Sequence, residues 1–183
     1  DVKAFVKEVM QGGAAQGGAL PQVPTVDFAK FGPVKTERLS RIQKISGPRL
    51  HASWVNVPHV TQHDEADITE LEEKRVALKE QAQTRGIKLT PLAFIVRACA
   101  VALGDMPLFK SSLAADGENL VMKQYTHIGF AADTPNGLVV PVIRDADKKD
   151  LYEIAKALGD LSARARAGKL EPADMQGGVF TIS

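Results

Sequence analysis

Arg75 and Lys79 are the first residues whose types and spacing invite chemistry. In ITELEEKRVALKEQA, the positions Ile68, Leu71, Arg75, Leu78 and Ala82 follow the three-four spacing of a core-facing helical stripe, and an arginine stands in its middle. Lys79 lies one turn further on, where like charges repel by on the order of 0.2–0.5 kcal/mol. Two readings account for the pair. Arg75 can snorkel, its stem on the core and its head answered by Glu72 or a more distant carboxylate. Alternatively, the two cations can hold an anion such as a phosphate, whose charge-assisted hydrogen bonds offset the repulsion. Spacing alone does not separate them.

The four histidines offer less. His59 and His63, in PHVTQH, would share a strand face but stand well apart, and with no cysteine nearby they do not make a zinc site; no metal site is expected. His127, inside YTHIGF, reads as a packed or paired ring, and His51 as a solvated residue beside Ser53. Neither a Ser-His-Asp order nor a GxSxG elbow is present, and there is no P-loop or GxGxxG fingerprint. Cys99 sits inside LAFIVRACAVAL, where burial raises a thiol pKa and leaves it an inert small hydrophobe. Ser183 is, from its own context, only a terminal hydroxyl.

These residues need elements to position them. Residues 36–54 carry an imperfect apolar stripe through Leu39, Ile42, Ile45, Leu50 and Trp54, which Gly47-Pro48 is expected to break or kink. VNVPHVTQHDEAD has β character, with Pro58 where an edge strand tolerates it. Asp67 and Glu70 give a capping signature for a helix running to about Arg85, with Gly86 as its stop. Thr90-Pro91 opens a second helix, apolar on nearly every face and so expected to be fully buried, with Gly104 and Pro107 ending it. Strands are expected at residues 124–132 and 138–144 around the turn Asp133-Thr134-Pro135-Asn136-Gly137. Leu151, Ile154, Ala155, Leu158, Leu161 and Ala165 form a helical face stopped by Gly168, and residues 178–183 are β-like. Helices alternating with strands imply a layered α/β domain, and a strand at the very end implies that the sheet is incomplete in this chain.

Upstream, DVKAFVKEVM has helical spacing with nothing local to pack on, and the Gly/Ala/Pro-rich stretch after it cannot bury enough apolar surface to fold. The expected organisation is the end of a separate domain at 1–10, a flexible linker at 11–30 and a catalytic domain at 31–183. Lys and Arg total 23 against 22 acidic residues in 183, so bulk charge gives no argument for nucleic acid or anionic membrane. The longest apolar stretch is too short to span a bilayer, no signal peptide opens the chain, and one cysteine suits a reducing compartment; the expectation is a soluble cytoplasmic protein.

The segments HASWVNVPHVTQHDEADITELEEKR, LTPLAFIVRACAVAL, MPLFKSSL, HIGFAADTPNGLVVPVIRDADKK and MQGGVFTIS, in this order, resemble the catalytic core of the 2-oxo acid dehydrogenase acyltransferases. PHVTQHDEADITELE is most similar to the acetyltransferase type, rather than the succinyl or branched-chain types. The resemblance implies a two-layer chloramphenicol acetyltransferase-like fold with a mixed sheet. It also implies a homotrimer with active sites between subunits, assembling into a larger hollow core. The implied reaction moves an acetyl group between dihydrolipoyllysine and coenzyme A, the lipoyl group being carried on a separate domain. Pyruvate dehydrogenase and dihydrolipoamide dehydrogenase components are the implied partners, with residues 1–10 resembling the end of the domain that holds such subunits.

Carried over by position, Ser183 at the end of FTIS becomes the oxyanion donor, Arg75 and Lys79 approach the coenzyme A phosphates, and Asp133 falls on the acyl-carrier side. The family's Asp-His-Arg-x-x-x-Gly motif, which carries the general base, matches none of the four histidines. This stretch alone is therefore expected to be inactive, its base supplied by sequence downstream of Ser183. The competing expectation is a non-catalytic core that only tethers the complex's other enzymes.

Overall fold

The structure, a computed structural model, describes residues 24–183. The expectations for residues 1–10 and for most of the linker fall outside them. The chain divides into two units, one up to His63 and one from Asp64 to Ser183.

In the first unit the main element is α1, Arg41–Asn56. Ser40 and Gln43 close a reciprocal capping box, Ser40 Oγ accepting from the Gln43 amide at 3.3 Å and Gln43 Oε1 from the Ser40 amide at 2.8 Å. The expected break at Gly47-Pro48 does not occur; the helix continues through Pro48. A proline removes one donor and crowds one carbonyl, and here the capped first turn and the turns beyond it hold the helix together. Ile42, Ile45, Leu50 and Trp54 remain exposed. Nor is there a strand over residues 57–68, which are irregular. Extended backbone becomes a strand only when a neighbour pairs with it, and this stretch has none among the described residues. His59 instead stacks on Trp54, ring centroids 5.3 Å apart.

The second unit holds the core. In its first helix, α2 (Thr69–Thr84), the expected Asp67–Glu70 capping pair does not form: Ile68 holds the cap position without a side-chain cap, and Asp67 Oδ1 accepts from the amide and the hydroxyl of Thr69. Gly86, at φ 69°, ends it in the left-handed conformation that glycine adopts without steric cost. Helix α3 (Pro91–Asp105) buries Ala93, Val96, Ala100 and Leu103, one side only; Ile95 and Val101 are nearly half exposed. Full burial is thus not observed. Gly104 lies inside the helix, not beyond it.

Helix α4 (Leu151–Arg166) is opened by an Asp150–Glu153 capping box, both bonds 2.8 Å, and buries Ile154, Ala155, Leu158, Leu161 and Ala165. It packs on α3. Gly168 ends it at φ 66°.

Strands β1 (Ser111–Leu113) and β2 (Leu120–Met122) form an antiparallel hairpin. The main sheet is three-stranded and mixed: β3 (Ile128–Phe130) lies between antiparallel β4 (Val142–Ile143) and parallel β5 (Phe180–Ile182). The strands are shorter than the sequence suggests. Pro141 has no amide to donate, so the pairing beyond β4 reduces to the Phe130 amide on the Pro141 carbonyl and a bridge between Ala132 and Val139. Ile128, Phe130 and Ile143 face α3 and α4 in one continuous apolar cluster, giving a helix layer on a sheet layer. This is the α/β fold expected.

Candidate functional site

The parallel pair β3–β5 brings two of the sequence-derived site residues to one end of the sheet. Phe130 is in register with Ile182, and the Ala131 amide donates to the Ile182 carbonyl at 2.8 Å. Ser183 therefore leaves the sheet beside Ala131, and Asp133 follows three residues after Phe130. Ser183 follows directly on the Ile182 carbonyl that the Ala131 amide holds.

Asp133 heads a tight turn. The Gly137 amide donates to the Thr134 carbonyl at 3.0 Å, the Thr134 hydroxyl donates to the Gly137 carbonyl at 2.6 Å, and Gly137 adopts φ 114°, a conformation open to glycine. The Asp133 carboxylate is exposed.

What lets β5 approach so closely is Gly129. A Cβ there would lie 2.8 Å from Val140 Cγ1 and 3.3 Å from Thr181 Oγ1. Beneath β5 lies an apolar cavity of about 220 Å³ lined by Cys99, Leu103, Met106, Phe109 and Phe180 among others. Burial pushes the Cys99 thiol up from its ordinary value, in line with an inert thiol.

The lead-in to β5 is pinned by charge. The Arg164 guanidinium donates to Asp174, which also accepts from the Glu171 amide at 2.8 Å, while Arg144 Nη2 donates to the Ala173 carbonyl at 2.8 Å. The Glu171 amide first, then Arg164, hold the Asp174 carboxyl below the usual carboxylate range. A depressed folded value stabilises the fold above the unfolded pKa of about 3.9, and that contribution is lost as pH falls through the lower folded value. Asp174→Asn is therefore expected to lower the thermal midpoint at pH 7, the difference from the parent closing as pH drops below about 4; melting curves from pH 7 to 3 check this.

His127 is paired, as expected of it. Its Nδ1 accepts from the Asp145 amide at 3.0 Å, and its ring lies against Tyr125 at 4.5 Å. It helps hold Asp145, whose φ of 48° is unusual for a residue other than glycine.

Arg75 and Lys79 stand apart from Ser183, joined to it by no hydrogen bond or ion pair among the described residues. Leu71, Arg75, Leu78 and Ala82 do form the inward face of α2. The Arg75 head is only 20% exposed; Nε donates to Glu72 Oε2 at 2.7 Å, Nη2 donates to Glu72 Oε1, and Nη1 donates to the Leu89 carbonyl at 3.4 Å. That bond to Arg75 is also the main reason the Glu72 carboxyl lies below its usual range. The guanidinium thus has a protein partner already, and Lys79 is exposed.

Sequence reasoning did not find Lys110, whose ammonium donates at 3.2 Å to the hydroxyl of the buried Thr126; nothing in the spacing marks that contact. No cluster of three metal-ligating side chains occurs among the described residues. None of the helices among them is long and apolar enough to cross a membrane.

Residues 31–183 match the model of the 2-oxoacid dehydrogenases acyltransferase (catalytic domain). The chain is 53% identical over 195 residues to the dihydrolipoyllysine-residue acetyltransferase component of the pyruvate dehydrogenase complex of Cupriavidus necator, and 50% identical over 189 residues to that of Pseudomonas aeruginosa. Both alignments take in 100% of this chain and 35% of the relative, so the chain spans about a third of the length of these curated relatives.

Among solved structures, it superposes with a TM-score of 0.84 at 50% identity on dihydrolipoamide acetyltransferase of Azotobacter vinelandii. That structure was solved in an investigation of a serine, a histidine and an asparagine in its catalytic mechanism, and the match covers 88% of this chain and 67% of that one. The cubic core of the pyruvate dehydrogenase multienzyme complex matches with the same TM-score, identity and coverage. The chain therefore belongs to the 2-oxoacid dehydrogenase acyltransferase family, and residues 31–183 lie in the catalytic domain that defines it.

Proposed function

We propose that the full-length protein transfers an acetyl group between dihydrolipoyllysine and coenzyme A as part of a pyruvate dehydrogenase complex. The observation that carries this reading is the FTIS strand, seated parallel to β3 with Ser183 leaving its end, in a chain whose relatives bear the acetyltransferase name. In such a transfer the attacking thiol loses its proton to a base, its sulfur adds to the thioester carbonyl, and the tetrahedral oxyanion collapses to expel the other thiolate. Ser183 donates a hydrogen bond from its hydroxyl to that oxyanion and keeps its proton, while the base returns its proton to the departing thiolate. The base is a histidine of the downstream Asp-His-Arg motif, so residues 1–183 by themselves do not turn over.

Residues 1–10 are read as the end of a peripheral subunit-binding domain, 11–30 as linker and 31–183 as the first part of the catalytic domain. The implied lipoyl group rides on a separate domain, the core is a homotrimer built into a larger hollow assembly, and pyruvate dehydrogenase and dihydrolipoamide dehydrogenase dock on it in the cytoplasm. Likeness to a cubic core supports the assembly. Asp133, at the same sheet end as Ser183, faces the acyl-carrier side.

The test is acetyl transfer from acetyl-coenzyme A to dihydrolipoamide by the full-length protein, with transfer expected. A complete absence of transfer from a correctly assembled core would instead make it a tethering scaffold.

Arg75 and Lys79 are assigned to the coenzyme A phosphates. Glu72 and the Leu89 carbonyl take three of the five Arg75 N–H donors and leave two for a phosphate, while Lys79 is exposed. Arg75→Ala and Lys79→Ala are each expected to raise the Michaelis constant for coenzyme A roughly tenfold and leave that for dihydrolipoamide nearly unchanged, the worth of one charged hydrogen bond. Equal effects on both substrates from Arg75→Ala would assign that residue to the Glu72 pair and the fold alone.

A further inference from the structure

Where the start of α3 meets the last turns of α4, a cleft of about 230 Å³ is lined by Lys88, Thr90, Leu92, Leu158, Ser162 and Arg166, among others. Among the described residues, no acidic side chain lines it. Neither Lys88 nor Arg166 forms an ion pair among the described residues. Thr90 occupies the cap position of α3, yet its hydroxyl caps nothing. The floor is apolar: Ala155 and Leu158 are 3% and 5% exposed.

A bland account exists for the cations, since arginine in a last helical turn complements the helix dipole and a surface lysine is simply hydrated. That account leaves Gly159 unexplained. Glycine weakens a helix interior, and it stays where backbone conformation or close packing demands it. Gly159 lies within α4 among well-formed helical turns, and a Cβ added there would meet nothing within 4 Å. Its position is on the wall of the cleft, between Leu158 and Ser162, where a longer side chain would take up the space. Two unpaired cations, an unspent hydroxyl, a second hydroxyl on Ser162, an apolar floor and a wall kept bare by glycine converge in one place.

We propose that this cleft binds an organic phosphate, its apolar body on Leu92, Ala155 and Leu158 and its phosphate on Lys88, Arg166, Thr90 and Ser162. Two cations match the nearly double negative charge of a phosphate monoester better than the single charge of a carboxylate, and its three terminal oxygens can accept from cations and hydroxyls together. The site is independent of the acetyl-transfer assignment, and none of its residues belongs to that machinery.

Calorimetric titration of the full-length protein with phenyl phosphate, inorganic phosphate and benzoate tests it. Phenyl phosphate is expected to bind one per chain with a dissociation constant of about 1 mM or below, and at least tenfold tighter than either of the other two. The double substitution Lys88→Gln/Arg166→Gln, both at exposed positions, is expected to weaken that binding at least tenfold. Gly159→Leu is expected to abolish it while leaving the ligand-free melting temperature unchanged or higher, and Lys79→Ala to leave it intact. Absence of saturable phenyl phosphate binding would overturn the proposal. So would binding indifferent to Gly159→Leu, or benzoate bound as tightly as phenyl phosphate.

Discussion

Ser183→Ala in the full-length protein is expected to lower kcat for acetyl transfer by about 10²–10³-fold, with both Michaelis constants within a factor of about two. The size follows from the geometry that leads up to the residue. Parallel pairing with β3 fixes the backbone through Ile182, whose carbonyl accepts from the Ala131 amide. A serine has one rotatable bond to its oxygen, so a fixed backbone leaves its hydroxyl a small choice of positions. Such a donor is preorganised, which is where its advantage over water lies.

It meets full negative charge only in the tetrahedral state, so substrate binding should hardly register its removal. A hydroxyl-to-hydrogen change removes one oxygen and no packing methylene, so the alanine variant should melt close to the parent. Steady-state kinetics with acetyl-coenzyme A and dihydrolipoamide, run beside a melting curve, check both points. A kcat within about twofold of the parent would remove Ser183 from the chemistry.

How far the sequence disclosed this arrangement depended on whether the determining contacts were local. The buried face of α4 was legible because Leu151, Ile154, Ala155, Leu158, Leu161 and Ala165 keep the helical period, with a capping box and a terminal glycine at its two ends. The Asp133–Gly137 turn was legible for the same reason, each residue supplying its own backbone angle. Gly47-Pro48 misled because a proline's local cost was weighed without the turns on either side of it. In α3, apolar residues on every side implied full burial, yet Ile95 and Val101 stay partly open. Composition records what a face prefers, not whether anything covers it. Residues 57–68 have strand-like composition and no strand, because pairing is a long-range event.

At the site the same division holds. Ser183 acquired a role only through the resemblance of MQGGVFTIS, since no local feature singles out a serine after a strand. Arg75 carried two readings; Glu72, three residues away on the same helix, does hold its guanidinium, a contact that fits either reading. The Lys88–Arg166 cleft joins residues far apart in sequence through the packing of α3 on α4, a contact that periodicity does not encode.

Gly129→Ala is expected to destabilise the second unit by about 1–3 kcal/mol, the usual cost of forcing a methyl into packed surroundings, and to reduce acetyl transfer as well. The added Cβ would lie 2.8 Å from Val140 Cγ1, a distance that real carbon pairs do not keep, so one side must move. Val140 is β-branched, with little freedom to rotate out of the way. On the other side the Cβ meets Thr181 Oγ1 at 3.3 Å, so yielding there pushes on β5 itself. Thr181 is two residues from Ser183, and the parallel register Gly129↔Thr181 is the central rung holding β5 to β3.

The substitution should therefore lower the melting temperature by roughly 2–9 °C and reduce kcat while leaving coenzyme A affinity intact, because α2 does not share the strain. Relieving the clash from the Val140 side decides the cause. If Gly129→Ala/Val140→Ala recovers most of the lost activity, the crowding of β5 is responsible; if the losses simply add, Gly129 acts through something other than that contact.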